Sequence, residues 1–137
     1  MFKTNFKKKP KKDNLKMLKK KLDVAFSDYI RYRGDYVKCV TCGKVAPPKE
    51  MQAGHYISRS CMALRWDVKN VFPQCVGCNI FKKGAYPEYT EFIINNYGIE
   101  HLNWLLRMKN EIKHWTTDEL KELIIFYKSK QYGNNIR

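Results

Sequence analysis

The sequence lacks any run of about 18 or more apolar residues, and it opens on lysines where a secretory signal would place an apolar stretch of about 7 to 15 residues. A chain that neither spans a membrane nor carries a signal peptide is therefore expected. It also lacks the even cysteine count of a disulfide framework. Five cysteines without a secretory leader point to a reducing cytoplasm, where thiols bind metal, and zinc is the leading ion. Acidic residues are scarce, 13 against 27 Lys and Arg in 137 residues, for a net charge of +14. Such a surplus makes a polyanion the expected partner, nucleic acid before anionic lipid. No internal repeat is present. At 137 residues the chain is too short for a second buried core, while 44 % hydrophobic and 14 % aromatic content exclude wholesale disorder.

What is present is unevenly spread. Residues 1–22 hold ten lysines against Asp13 alone. Like charges repel, so residues 1–12 read as a flexible basic arm that orders on phosphate through Lys7, Lys8, Lys9, Lys11 and Lys12; a solubilising tail is the plainer reading of the same run. Residues 13–137 read as one domain of the α+β class, mostly helical. Over 13–34, Leu15, Leu18, Leu22, Phe26 and Tyr29 recur at helical steps. A basic amphipathic helix should stop at Gly34, packing one face on the core and offering Lys16, Lys19, Lys20, Arg31 and Arg33 to a phosphate backbone. Residues 87–132 read as a helical tail of three elements. Pro87 to Tyr97 ends at Gly98, Ile99, Leu102 and Leu105 mark the next, and a Thr116/Glu119 capping box opens the last, which Gly133 and Asn134 close. Trp104 and Trp115 read as core, and His101 and His114 as structural hydrogen-bonding residues.

The chemistry lies between, in residues 36–83. Cys39-Val-Thr-Cys42 and Cys75-Val-Gly-Cys78 are two CxxC pairs separated by 32 residues. Two residues between thiolates let a tight turn present both sulfurs to one ion, and two such turns complete a tetrahedral four-thiolate zinc site. A redox CxxC would explain one pair but not two. Four thiolates fill the coordination sphere, so this zinc is structural and catalysis needs other residues. Cys61 reads as a buried small residue.

Between the pairs stand Ala53-Gly54-His55-Tyr56, then Leu64-Arg65-Trp66-Asp67 and Asn70, with Gln74 leading into the second CxxC and Asn79. This layout resembles the zinc-stapled HNH endonucleases, and with the Trp115-Thr116 to Leu120 tail it is similar to the phage NinG (Rap) recombination proteins over roughly residues 36–130. The resemblance implies an HNH-like ββα core and a metal-dependent endonuclease cutting branched DNA such as Holliday junctions. The host would be a bacterial cytoplasm reached by a phage or prophage. It further implies His55 as the general base, Asn79 as a ligand of a catalytic Mg²⁺ or Mn²⁺, and Asn70 as the residue that sets the loop and orients His55 through a hydrogen bond. Many HNH enzymes carry an Asp before the catalytic His, where this chain has Gly54. Asp67 is then the candidate carboxylate. Arg59, Arg65, Lys69, Lys82 and Lys83 flank the site and could grip phosphates, or simply face solvent; Asn70 and Asn79 could be turn or cap residues. Two cuts per junction suggest a homodimer. No small-molecule cofactor and no membrane is expected. The rival function is a non-catalytic zinc module that binds DNA or RNA through the same basic surface.

Overall fold

The computed structural model describes residues 14–131. Lys7, Lys8, Lys9, Lys11 and Lys12 of the expected arm, and Gly133 and Asn134, lie outside the described residues; the last helix ends at Ser129, before the stop expected at Gly133 and Asn134. Among the described residues four α-helices, α1 (Leu15–Arg31), α2 (Tyr86–Tyr97), α3 (Ile99–Met108) and α4 (Thr117–Ser129), surround two antiparallel hairpins. One pairs β1 (Val37–Lys38) with β2 (Val45–Ala46); the other pairs β3 (Met51–His55) with β4 (Val71–Cys75). The class is α+β, with helix taking about half of the described residues. Among the described residues no helix is long and apolar enough to cross a membrane.

In α1, Asn14 caps the first turn by accepting the Lys16 amide at 2.9 Å, and Leu18, Leu22, Ala25, Phe26 and Ile30 form the buried stripe. The helix ends at Arg31, before the expected Gly34. The chain leaves helical geometry at Tyr32 (ψ 68°), just past Arg31. The Arg31 guanidinium donates to the Pro48 and Met51 carbonyls and to the Asp28 carboxylate, so it ties α1 to the start of β3 and is not offered to a phosphate as expected. Lys16 and Lys20 remain exposed and Lys19 is half-buried.

Burial of that stripe is completed by α4. Phe26 meets Tyr127 edge to face at 4.8 Å, and the Tyr127 hydroxyl donates to the Trp66 carbonyl at 2.9 Å, which pins the central loop under the helix pair. Trp115 adds an edge contact with Trp66 and donates to the Met62 carbonyl at 2.9 Å. The capping box of α4 forms only in part. Thr116 accepts the Glu119 amide, but the Glu119 carboxylate takes the Thr116 hydroxyl and the Lys113 ammonium and not the Thr116 amide. A second cluster joins Tyr56, Ile57 and Leu64 to Tyr89, Ile93, Leu102 and Leu105 of α2 and α3. Gly98, at φ 89°, supplies the left-handed turn between those helices.

After β4, where the resemblance implies a helix, the chain makes a single π-helical turn, Gly77–Phe81. It cannot run on. Lys83, Gly84 and Ala85 follow in the left-handed region, at φ 51°, 95° and 49°, and swing the backbone into α2.

Candidate metal centre and adjoining cleft

Cys39 and Cys42 sit on the turn of the β1–β2 hairpin, and Cys75 and Cys78 on the turn that leaves β4. The Val40 amide donates to the Pro73 carbonyl at 3.0 Å, so backbone pairing brings the two knuckles together. All four Sγ atoms lie within 4.8 Å of one another, and Cys42 and Cys75 are 3.6 Å apart. Tetrahedral zinc–thiolate bonds of about 2.3 Å place sulfurs roughly 3.8 Å apart, so the four fit one ion. None is in a disulfide. Negative charge on one sulfur opposes ionisation of the next. Burial and the neighbouring sulfurs push Cys78 up to about 12; Cys39 feels burial too, yet the Thr41 hydroxyl and backbone amides bring it down to about 6. A divalent cation removes that conflict, because a coordinating thiol is deprotonated outright. Among the described residues this is the only cluster of three or more His, Cys, Asp or Glu side chains able to hold an ion.

His55 ends β3 and faces a cleft of about 810 Å³, which Asp23, Glu50, Gln52, Arg59 and Asn79 also line. Its Nε2 lies 2.8 Å from the Arg65 carbonyl. A carbonyl can only accept, so the neutral ring carries its proton on Nε2 and keeps a lone pair on Nδ1. Burial holds the imidazole below its ordinary pKa, and Arg59 and Arg65 add to this; the bond to Arg65 and the Asp23 charge oppose it without reversing it.

Asn70 is fully buried and its side chain makes three hydrogen bonds: Oδ1 accepts the Ile57 amide at 2.8 Å, and Nδ2 donates to the carbonyls of Ile57 at 3.0 Å and Leu64 at 3.2 Å. It therefore shapes the loop between β3 and β4, as expected. The expected bond to His55 is corrected: Asn70 acts on the loop backbone, and the Arg65 carbonyl is the partner of the imidazole. Asp23 of α1 holds that stretch from the other side. Its carboxylate accepts from Arg65 Nε at 3.0 Å and Nη2 at 2.6 Å, from Trp66 Nε1 at 2.9 Å and from Arg59 Nη2 at 3.0 Å. Burial alone would raise this carboxyl; the donors and the two guanidinium charges outweigh it and hold the group below its ordinary value.

Asn79 on the π-helical turn donates to Gln52 Oε1 at 2.7 Å, and so stands across the cleft from β3. Gly54 is required by packing. A Cβ there would lie 2.0 Å from Gln74 Oε1, and Gln74 is itself fully buried, donating to the Gly84 carbonyl and the Thr41 hydroxyl. No carboxylate can stand at this position. Asp67 does not replace it: its Oδ1 accepts the Lys69 amide at 2.9 Å within a turn, and it is not among the residues lining the cleft. Arg65 is committed to Asp23, whereas Arg59 shares that carboxylate with 62 % of its side chain still exposed. Lys69 lies over the Trp104 ring at 5.1 Å, away from the cleft, and Lys82 and Lys83 are exposed beside the π-helical turn.

The sequence profile described as "Bacteriophage Lambda NinG protein" matches residues 3–133. The chain belongs to the NinG family. It is 30 % identical over 112 residues to "Protein ninG" of Salmonella phage P22 and to that of Escherichia phage lambda, in each case covering 81 % of this chain and 54 % of the relative. "Protein ninG" of Escherichia phage 933W is similar at 30 % over 112 residues, covering 81 % of this chain and 55 % of that protein. The chain thus spans about half the length of the curated relatives it matches. No solved structure matches it.

In this NinG-family chain several site residues escape a reading of motifs alone. Asp23 lies outside the CxxC and His–Asn pattern and reaches the site only because α1 packs against β3 and β4, while Gln52 and Gln74 stand beside the motif residues and take their roles from the pairing of β3 with β4. For Asp23 one signal exists: it is an acid beside buried Leu22 on a helix otherwise rich in lysine.

Proposed function

We propose that the cleft hydrolyses DNA phosphodiesters with a divalent ion, as an HNH-type endonuclease acting on branched recombination intermediates such as Holliday junctions. The observation that carries this reading is the restrained imidazole. His55 is held through Nε2 and kept neutral near pH 7, and it opens onto a cleft shared with Asn79 and a basic side chain. Nδ1 of His55 is the atom that would take the proton from water as it attacks phosphorus. Arg59, anchored at one nitrogen by Asp23, would bind a phosphate oxygen with its exposed face. The oxygens of Asn79 and Glu50 are hard donors that suit Mg²⁺ or Mn²⁺ better than the thiolates do. Such an ion, when bound, neutralises the crowded phosphate and the departing 3′ oxygen. β3, β4 and the π-helical turn take the place of the ββα unit, and the four-cysteine zinc holds the turn in register.

The test is cleavage of labelled four-way junctions, forks and linear duplex with Mg²⁺ or Mn²⁺ by the parent and by His55→Ala. General-base loss should slow cutting about 10²- to 10⁴-fold with DNA binding intact. Equal cutting by both proteins would sink the mechanism. Binding without cutting by either would leave a zinc-containing nucleic-acid-binding module.

A further inference from the structure

We infer that Phe81, backed by Ile80, is a wedge that stacks on an unpaired or unstacked base at a DNA branch point, and so selects branched over continuous duplex. The inference rests on the cleft being a DNA site. Val76, Ile80 and Phe81 lie on or beside one π-helical turn and are 38 %, 54 % and 80 % exposed. Single exposed apolar residues are ordinary, but here Val76 and Ile80 line the cleft with Asn79 and His55, and Phe81 follows Ile80 directly on the same turn. Among the described residues Phe81 belongs to none of the three core clusters.

The turn that carries Phe81 is rigid. The Lys82 amide donates to the Gly77 carbonyl at 2.9 Å and the Gly84 amide to the Cys78 carbonyl at 2.9 Å, while Gln74 donates to the Gly84 carbonyl at 2.9 Å. Two non-glycine residues, Lys83 and Ala85, are held in the left-handed region. Conformations of that kind cost energy and persist where the surroundings impose them. Their effect here is to turn the chain directly after Phe81, leaving its ring exposed with exposed Lys82 and Lys83 next to it in the chain. An aromatic face flanked by two cations complements a base flanked by phosphates.

Discrimination follows from stacking. Inserting a ring into continuous duplex requires a base step to be unstacked, which opposes binding. At a crossover or fork that cost is smaller, because stacking across the branch is interrupted or exchanged between arms and opens more easily than within continuous duplex. The same ring therefore gains at a branch what it cannot gain on duplex.

The experiment uses the full chain, zinc-loaded, with Ca²⁺ in place of Mg²⁺, and a four-way junction carrying 2-aminopurine at the crossover. The parent should raise the fluorescence. Phe81→Ala should abolish the rise and weaken junction binding about tenfold, the scale of one base–aromatic contact, with duplex binding unchanged; Phe81→Trp should restore both. Unchanged fluorescence and junction affinity in Phe81→Ala, or failure of the parent to bind the junction, would overturn the wedge. So would light scattering that shows Phe81→Ala converting a dimer to a monomer, since the face would then meet a second copy. If the parent gives the fluorescence rise but cuts nothing with Mg²⁺ or Mn²⁺, the nuclease reading fails and the wedge stands.

Discussion

Replacing Gly54 by alanine should cost the fold far more than one methyl group suggests. The new Cβ would lie 2.0 Å from Oε1, 2.6 Å from Cδ and 2.7 Å from Cγ of Gln74. Neither partner can step aside cheaply. The Gly54 carbonyl accepts the buried Tyr89 hydroxyl at 2.7 Å and the residue pairs with Phe72 across the hairpin, while Gln74 is held by Gly84 and Thr41. Overpacking costs about 1–3 kcal/mol, and displacing the amide forfeits two hydrogen bonds at about 1 kcal/mol each. Against this, alanine restricts the unfolded chain and returns about 0.4–1 kcal/mol. The net is a destabilisation of about 3 kcal/mol, or roughly 10 °C in Tm for a domain of this size. Thermal and urea unfolding followed by circular dichroism, with zinc present, measures it. The decisive comparison is the Gln74→Ala background, where the clash is gone and the same substitution should cost less than about 1 kcal/mol. Equal cost in both backgrounds would refute the packing argument. Gly54→Asp, which places the carboxylate of many HNH enzymes before His55, should likewise lower stability and cutting instead of creating a metal ligand.

Asn70→Ala strands the Ile57 amide and the Ile57 and Leu64 carbonyls, and should destabilise by about 3–5 kcal/mol in urea unfolding, given about 1–3 kcal/mol for each unsatisfied buried group, partly relieved by water. Because His55 is held below its ordinary value of 6.5, cutting should be full above the folded-state pKa and fall only as pH drops through it. A pH–rate profile with its acid midpoint at or above 6.5 would contradict this. Asp23→Asn should lower cutting about tenfold or more, with zinc content unchanged, since a 1 Å misplacement of a reacting group can cost about 10²-fold; stopped-assay rates and metal analysis check both. Removing zinc with a strong chelator, or Cys75→Ser, should unfold the β4 knuckle and abolish DNA cutting and binding to branched DNA together, measured by circular dichroism and gel shift.

Much of this protein was legible before any fold was known. Helical periodicity placed α1 through α4 because amphipathic stripes need only local spacing, and the two CxxC pairs announced a four-thiolate site because ligand spacing is itself local. The ends were less legible. α1 stops at Arg31, where Tyr32 leaves helical geometry without a glycine or proline to announce it, and the helix expected after β4 shrinks to one turn since Lys83, Gly84 and Ala85 turn left-handed.

The site divides in the same way. Sequence alone nominated His55, Asn70, Asn79 and the four cysteines, all of which sit in short motifs. Tertiary structure alone brought Asp23 to Arg59, Arg65 and Trp66, gave His55 the Arg65 carbonyl in place of Asn70, left Asp67 in a surface turn, and laid Gln74 over Gly54. Each of these is a contact between elements far apart in the chain. Residue spacing encodes which groups can share a turn or a helix face, but which carboxylate meets which guanidinium is settled only when α1, the hairpin and the second knuckle close on one another.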